Sequence, residues 1–248
     1  MTRTLLITGA SRGIGAATAK LAALAGWDVA VNYSRDAAAA QAVAEAVKAA
    51  GRRALVLQAD VADEAQVLAM FATLDREWGP LQGLVNNAGV VDVAARVDQM
   101  DLARLQRMLA INVLGTMVCA REAVKRMSSR HGGKGGAIVN LSSAAARLGA
   151  PAQYVDYAAA KGAVDVFTLG LAREVAAEGV RVNAVRPGLI DTEIHASGGQ
   201  PERVHQLAPQ VPMQRAGSSE EVGHAIVWLL SPRASYTTGA VLDVAGGR

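Results

Sequence analysis

The stretch that decides the fold lies near the start of the chain and reads Thr8-Gly9-Ala10-Ser11-Arg12-Gly13-Ile14-Gly15. It follows an apolar run at residues 4–7, which predicts a β-strand, and precedes a helical pattern at residues 16–25. Glycines in such a turn let the backbone approach a pyrophosphate, whose charge meets free N–H groups and the helix dipole. Single glycines could instead serve a turn or a helix contact. Three glycines between a strand and a helix favour a phosphate-binding loop, although the spacing differs from G-x-G-x-x-G.

The same alternation of strand and helix continues along the chain. Further strands are predicted at residues 28–32, 54–58, 81–85, 137–141, 180–185 and 240–244. Helices are predicted at residues 37–50, 64–77, 101–127 and 220–230, with another containing residues 157–177. This order predicts a doubly wound, Rossmann-type α/β fold with one parallel sheet and helices on both faces. No linker divides the 248 residues, so we expect one domain over 1–248.

Composition excludes several classes of protein. Hydrophobic residues make up 51% of the chain and aromatic residues only 4%, which predicts a large aliphatic core and helices packed through small side chains. The chain has 25 Lys and Arg against 22 Asp and Glu. These basic residues are scattered, whereas a nucleic-acid interface clusters them, so we expect no nucleic-acid partner.

Cysteine and apolar patterning bear on the compartment. Cys119 is the only cysteine, which excludes an intramolecular disulfide and fits a reducing compartment. No apolar run reaches the roughly 18 residues of a membrane span, and no signal peptide is evident. We therefore expect a cytoplasmic protein without a membrane partner.

Histidine spacing gives no indication of a metal site. The four histidines have no mutual metal-ligand spacing, so no metal is expected; they are His131, His195, His205 and His224. His195 and Asp156 could contact a substrate, because one follows a predicted ligand loop and the other adjoins Tyr157. A surface role is the alternative for both.

Four further motifs follow the glycine loop in order. They are Asn86-Asn87-Ala88-Gly89, Asn112, Tyr157-Ala158-Ala159-Ala160-Lys161 and Pro187-Gly188. Together with Gly9-xxx-Gly13-x-Gly15, they resemble the single-domain short-chain dehydrogenase/reductase family over the whole chain. Residues 147–161 and 187–193 look most like bacterial glucose-dehydrogenase-like or sugar-oxidoreductase members.

The resemblance implies a nicotinamide cofactor and assigns its contacts. The implied cofactor-binding residues are Gly9, Ser11, Arg12, Gly13, Ile14, Gly15, Ser34, Arg35, Asp60, Val61, Asn87, Ala88, Gly89, Tyr157, Lys161, Pro187, Gly188, Ile190 and Thr192. Asp60 and Val61 resemble the family's adenine-binding pair, although Asp60 could equally cap the next helix.

The end of the second strand indicates which dinucleotide binds. An acidic residue there would bond a ribose 2′-OH and repel a 2′-phosphate, but the sequence is Tyr33-Ser34-Arg35. Arg35 and Arg12 could pair with a 2′-phosphate, or each could be a solvated surface charge. We predict that the protein prefers NADPH to NADH.

Tyr157 and Lys161 are the candidate acid–base pair. Residues four apart share one face of a helix. A free tyrosine has a pKa of roughly 10, and a nearby ammonium favours its phenolate, so Lys161 is expected to lower the pKa of Tyr157. Taken alone, such a pair could also be ordinary helix packing.

Ser142 and Ser143 follow the fifth strand. The family's catalytic serine falls on Ser143, although the spacing to Tyr157 is one residue longer than in the commonest members. Ser143 would hydrogen-bond a carbonyl oxygen; a strand-end turn is the alternative. In the family, the Asn112 backbone carbonyl is freed at a kink and holds a water linked to the lysine; otherwise Asn112 is a buried, internally satisfied amide.

These expectations combine into one function. We expect an oxidoreductase that transfers a hydride between NADP(H) and a small carbonyl or secondary alcohol, with Tyr157 as general acid and base. The alternatives are a non-catalytic nucleotide-binding scaffold or sensor, and an epimerase or dehydratase. Residues 240–244 and the two long helices resemble the family's subunit contacts, so we expect a homotetramer or a dimer.

Overall fold

The strands are runs of β-branched and aliphatic residues, as expected where a parallel sheet is covered on both faces. In the computed structural model, which describes residues 3–193, 198–200 and 202–248, they are β1 Arg3–Ile7, β2 Trp27–Tyr33, β3 Ala54–Gln58, β4 Gly83–Asn86, β5 Gly136–Leu141, β6 Val180–Pro187 and β7 Val241–Val244. All pair in parallel in the order β3-β2-β1-β4-β5-β6-β7. The predicted doubly wound α/β fold is confirmed.

Helices cover both faces of this sheet. They are α1 Gly13–Leu24, α2 Ala37–Ala49, α3 Glu64–Trp78, α4 Leu102–Leu109, α5 Gly115–Met127, α6 Ala145–Leu148, α7 Val155–Val175, α8 Arg203–Leu207 and α9 Ser219–Leu230. Side chains alternate along a strand, so Leu5 and Ile7 pack with α1, α2 and α9, whereas Leu6 packs with α3, α5 and α7. The result is two aliphatic layers around one sheet.

The strand order creates the crevice in which a ligand can bind. β1 pairs with β2 on one side and with β4 on the other, so the chain reverses direction across the sheet at this point. Open α/β sheets bind ligands at the carboxyl ends of the strands beside such a switch. The glycine loop therefore lies where the fold opens.

Element boundaries differ from the prediction in a few places. The predicted helix 101–127 is divided by a π-helical turn, Ala110–Leu114, which contains Asn112. α1 begins at Gly13 rather than at residue 16, and β4 begins at Gly83 rather than at residue 81. Sequence periodicity did not predict the one-turn helix α6. A further short helix, α8, lies between β6 and α9 at residues 203–207.

Candidate active site

The glycine loop and the end of β2 form what we call the phosphate end of the cleft, residues 9–15 with Ser34 and Arg35. Gly9 and Gly13 have φ of +60° and +53°, which favour glycine. A Cβ on Gly9 would lie 2.9 Å from the Ala88 Cα. Side chains are thus excluded where the loop passes the end of β4.

Gly15 is needed for close packing of α1 on the glycine loop. A Cβ there would lie 2.5 Å from Asn87 Nδ2 and 2.7 Å from Gly9 O, so only glycine lets α1 pack this closely on its own loop. Gly15 does not line the cleft. The structure places it behind the cofactor-binding surface to which the sequence assigned it.

Two polar side chains that the sequence analysis did not single out hold the loop. Asn32 Oδ1 accepts from the Gly9 N–H at 3.1 Å, and its Nδ2 donates to the carbonyls of Leu57 and Ala59. Thr8 Oγ1 accepts from the N–H groups of Asn87 and Ala88. Asn32 could have been found from its sequence, because an amide in a buried strand must find hydrogen-bond partners.

The charged groups of the phosphate end are exposed. Within the described ranges, Arg12 and Arg35 make no hydrogen bond or ion pair through their side chains. Asp60 Oδ1 accepts from the Ala62 N–H at 3.0 Å, and the cap of α3 is Asp63. The alternative that Asp60 caps α3 is therefore wrong.

A cleft of about 1000 Å³ joins the phosphate end to a second cluster, which we call the chemical end: Ser142, Ser143, Tyr157 and Lys161. Every predicted site residue lines this cleft except Gly15 and Asn112. The substrate side has an apolar wall formed by Ala144, Ala145, Leu148, Ala150 and Pro151. Gln153, Tyr154, Glu193 and Arg248 add polar groups that the sequence analysis missed.

The two serines of the chemical end face different partners. The Ser143 hydroxyl lies beside the Tyr157 hydroxyl and acts to lower its pKa. Ser142 is buried, and its Oγ donates to the Lys161 carbonyl at 3.2 Å. The structure thus places Ser143, rather than Ser142, against the phenol despite the longer spacing.

The Lys161 ammonium lies near the aromatic ring of Tyr157. Its Nζ donates to the Leu141 carbonyl at 2.7 Å and lies 5.6 Å from the centroid of the Tyr157 ring. A Cβ on Gly89 would lie 3.4 Å from this Nζ and 2.8 Å from Asn112 Oδ1. Gly89 therefore keeps a small space between the lysine and the asparagine.

Burial controls the ionisation of both groups. Burial raises the pKa of Tyr157 to about 12, and the Ser143 hydrogen bond opposes that shift only partly. Burial lowers the pKa of Lys161 to about 8, against the opposing charge of Asp165. For the protein chain alone, the net shift in the pKa of Tyr157 is upward and thus opposite to the expected one, because desolvation of the phenolate sets its direction.

Asn112 is buried and internally bonded. Its Nδ2 donates to the carbonyls of Val90 and Met108 at 3.1 and 3.0 Å, and its Oδ1 accepts from the Val90 N–H. Its carbonyl accepts from Thr116 Oγ1 at 3.1 Å. The π-helical turn supplies the predicted local distortion, and Asn112 lies next to Gly89 and Val90, which line the cleft, without lining it itself.

Asp156 fits neither of its two predicted roles, whereas the prediction for His195 stays untested. Asp156 neither contacts the cleft nor lies at the surface; it is buried in an ion pair with Arg104, because an uncompensated carboxylate could not be buried there. His195 lies outside the described residues.

The described part of the chain offers neither a metal site nor a membrane-spanning helix. Residues 3–193, 198–200 and 202–248 contain no group of three or more His, Cys, Asp or Glu side chains that could hold a metal. In those same ranges, no helix is long and apolar enough to span a bilayer.

A glycine loop at the switch point and a Ser-Tyr-Lys cluster at the same sheet edge define a Rossmann-type oxidoreductase. The family model described as enoyl-(acyl carrier protein) reductase matches residues 9–248. The chain belongs to the short-chain dehydrogenase/reductase family, whose members use nicotinamide cofactors.

Individual relatives agree along their full length. The uncharacterized oxidoreductase YgfF of Escherichia coli is 56% identical over 243 residues, covering 98% of both chains. Glucose 1-dehydrogenase 2 of Bacillus subtilis is 36% identical, covering 99% of this chain and 94% of the other. The solved short-chain dehydrogenase/reductase of Serratia marcescens has a TM-score of 0.91 at 36% identity, covering 99% and 97%.

Proposed function

We propose that residues 1–248 act as a single NAD(P)-binding catalytic domain that transfers a hydride between NADP(H) and a small carbonyl or secondary alcohol. The observation that carries the proposal is that Ser143, Tyr157 and Lys161 line one cleft, with the Lys161 ammonium 5.6 Å from the centre of the Tyr157 ring. A proton donor, its orienting hydroxyl and a cation thus meet in the cleft that begins at the glycine loop.

The residues present fit a dinucleotide. α1 has no side-chain cap, so its first N–H groups remain available to a pyrophosphate beside Gly9 and Gly13. Asp60 and Val61 would hold the adenine, and Asn87 to Gly89 the ribose. Residues 187–192 would meet the carboxamide through Pro187, Gly188, Ile190 and Thr192. Bound nicotinamide supplies or accepts the hydride.

Tyr157 performs the proton transfer. With a pKa of about 12 it is protonated at neutral pH, so in the reductive direction it can give its proton to the substrate oxygen. Ser143 donates a hydrogen bond to the same oxygen and holds it in place. The Tyr157 phenolate that forms is stabilised by the Lys161 ammonium.

Lys161 and Asn112 return the proton. Lys161, with a pKa of about 8, is largely charged at neutral pH and can donate to the phenolate. We assign Asn112 to the inner end of this relay, where it would hold a water linked to Lys161. Asn112 Oδ1 and Lys161 Nζ both border the position of a Cβ built on Gly89, whereas the Asn112 backbone carbonyl, the predicted ligand of the water, accepts from Thr116 Oγ1.

Cofactor choice rests on the phosphate end. Ser34, Arg35 and Arg12 line the cleft, and neither arginine is engaged by a carboxylate in the described residues. The end of β2 itself lacks the acidic side chain that would repel a 2′-phosphate, and the nearby Asp36, which also lines the cleft, caps α2 by accepting from the Ala39 N–H. We therefore propose that NADPH is preferred to NADH.

We also propose a cytoplasmic homotetramer. Val166 is 73% exposed on α7, and Leu169 on that helix and Leu242 on the edge strand β7 are also exposed. Apolar groups on these two elements support contact between copies. Light scattering at micromolar concentration should give four times the chain mass; a monomer would contradict the assignment.

A coupled screen tests the function. Purified protein is assayed with NADPH and with NADH against sugars, ketones, quinones and 3-oxoacyl thioesters, following nicotinamide absorbance. We expect turnover of at least one carbonyl class, faster with NADPH. Tight NADPH binding without turnover of any class would instead favour the scaffold or sensor alternative.

A further inference from the structure

The Arg104 side chain links three segments of the chain. Its Nε and Nη2 donate to the two carboxylate oxygens of Asp156 at 2.8 and 3.3 Å, and its Nη1 donates to the Val93 carbonyl at 2.6 Å. The Arg104 side chain is 11% exposed and that of Asp156 only 2%. A buried, two-pronged pair of this kind holds its partners in one geometry.

Asp156 connects the ion pair with Arg104 to the first turn of α7, which carries Tyr157. Its Oδ1 also accepts from the Tyr157 backbone N–H at 2.9 Å. No side chain caps α7 at Tyr154, so the Asp156 carboxylate is the anion in the helix's first turn. Any movement of Asp156 therefore moves the turn that carries Tyr157.

The chain leading into α7 needs such an anchor. Gly149, Ala150 and Ala152 have φ of +71°, +43° and +57°, and two of these residues are alanines. Left-handed backbone at residues other than glycine persists only where the surroundings hold it. The Ala95 N–H donates to the Gln153 carbonyl, and this hydrogen bond holds the segment before α7 at a second point.

Val93 directly follows Val90, Val91 and Asp92, which line the cleft. We propose that Arg104 is a positioning residue: by binding Asp156 and the Val93 carbonyl together, it holds the start of α7 against the segment that lines the cleft and so keeps the Tyr157 hydroxyl in place beside Ser143. The proposal rests on the proposed role of Tyr157. It assigns Arg104 and Asp156 no contact with substrate or cofactor.

Arg104→Gln is the first test. Misplacing a reacting group by about 1 Å can cost roughly a hundredfold in rate. We expect kcat to fall about tenfold or more, while NADPH Kd and substrate KM stay within about twofold. Arg104→Lys, which keeps the charge but cannot make all three bonds, should recover part of kcat. The control is Arg96→Gln, which removes an exposed arginine paired with Asp98 and should change nothing.

A double variant separates positioning from stability. Arg104→Gln alone leaves the Asp156 carboxylate buried and unpaired, which lowers Tm. Arg104→Gln with Asp156→Asn restores a neutral amide pair but not the bond to the Val93 carbonyl. We expect Tm to recover and kcat to stay low. Recovery of kcat together with Tm would reduce Arg104 to a structural ion pair and overturn the proposal.

Amide hydrogen exchange tests the proposal without turnover. Peptides covering residues 153–160 should exchange faster in Arg104→Gln than in the wild type, whereas peptides from the second half of α7 should not. Unchanged exchange in the first turn would overturn the positioning role even if no carbonyl substrate is found. Failure of the wild-type screen with altered exchange would overturn the proposed function alone.

Discussion

The phosphate end and the chemical end of the cleft are built in opposite ways. At the phosphate end, Arg12 and Arg35 are exposed and meet no carboxylate in the described residues. At the chemical end, Ser143 lies beside Tyr157, and Lys161 is buried and donates to the Leu141 carbonyl. The charged side chains of the phosphate end are exposed to solvent, whereas the Lys161 ammonium of the chemical end is buried.

This difference in solvent exposure predicts which property of the enzyme each end controls. Exposed charges are screened by salt and contribute modestly, so the phosphate end should tune affinity and cofactor choice. Buried groups act where solvent cannot compensate for their loss, so the chemical end should control rate. The following substitutions test this contrast.

The largest effect should come from the chemical end. Tyr157→Phe removes the acidic hydroxyl, so we expect kcat to fall about a thousandfold, because a positioned acid or base contributes roughly 10²–10⁴ in rate. The NADPH Kd should change little. Rates with the best carbonyl from the screen, and a fluorescence titration of NADPH, give the two values.

The matched control is Tyr236→Phe, because Tyr236 is fully exposed and does not line the cleft. It should behave as the wild type. A Tyr157→Phe variant with a similar kcat would show that another group supplies the proton, and the contrast between the two ends would lose its main support.

The phosphate end should give a smaller, selective effect. Arg35→Ala removes one charge-assisted bond to a 2′-phosphate, so the NADPH/NADH ratio of kcat/KM should fall about tenfold, and less at high salt. NADH kinetics should hardly change. Tyr33→Asp, which places a carboxylate at the end of β2, should move the ratio in the same direction.

Arg76→Ala is the control for this charge change, because Arg76 is an exposed arginine on α3 that does not line the cleft. It should leave the ratio intact at fixed ionic strength. If Arg35→Ala also leaves the ratio intact, Arg35 points to solvent and any preference depends on Arg12.

The sequence predicted the fold and the location of the cleft well, for a physical reason. Strand and helix periods and the Gly9 to Gly15 turn are local patterns, and the switch point follows from strand order. The Arg104–Asp156 pair joins residues 52 positions apart, so no local pattern announces it. The pKa of Tyr157 was mispredicted because spacing reveals a neighbouring charge but not the burial that opposes it.

The smallest effect concerns the charge on Lys161, where α7 and β6 meet. Asp165, one turn beyond Lys161, opposes the burial that lowers the pKa of Lys161 to about 8. Asp165 Oδ2 binds Arg186 Nε and Nη2 at 3.0 and 2.8 Å, and its Oδ1 is buried without a hydrogen-bond partner in the described residues. The other groups around Lys161 are neutral: the Leu141 carbonyl, the Tyr157 ring and the Asn112 amide.

This arrangement gives a pH dependence with a definite sign. Lys161 is charged below its pKa of about 8 and loses its charge above it, so kcat/KM for carbonyl reduction should fall on the alkaline side. Asp165→Asn removes the favourable charge and lowers the pKa of Lys161 further, so the fall should begin at lower pH, with a loss of only a few-fold at neutral pH. Asp243→Asn is the matched control. Asp243 on β7 lies 3.8 Å from the same Arg186, but it is not among the charges that shift the pKa of Lys161. Its loss should therefore move the midpoint of the pH profile less. Equal midpoints in the wild type and Asp165→Asn would mean that Lys161 ionisation does not limit the rate, and the chemical end would then depend on Tyr157 and Ser143 without a tuned lysine.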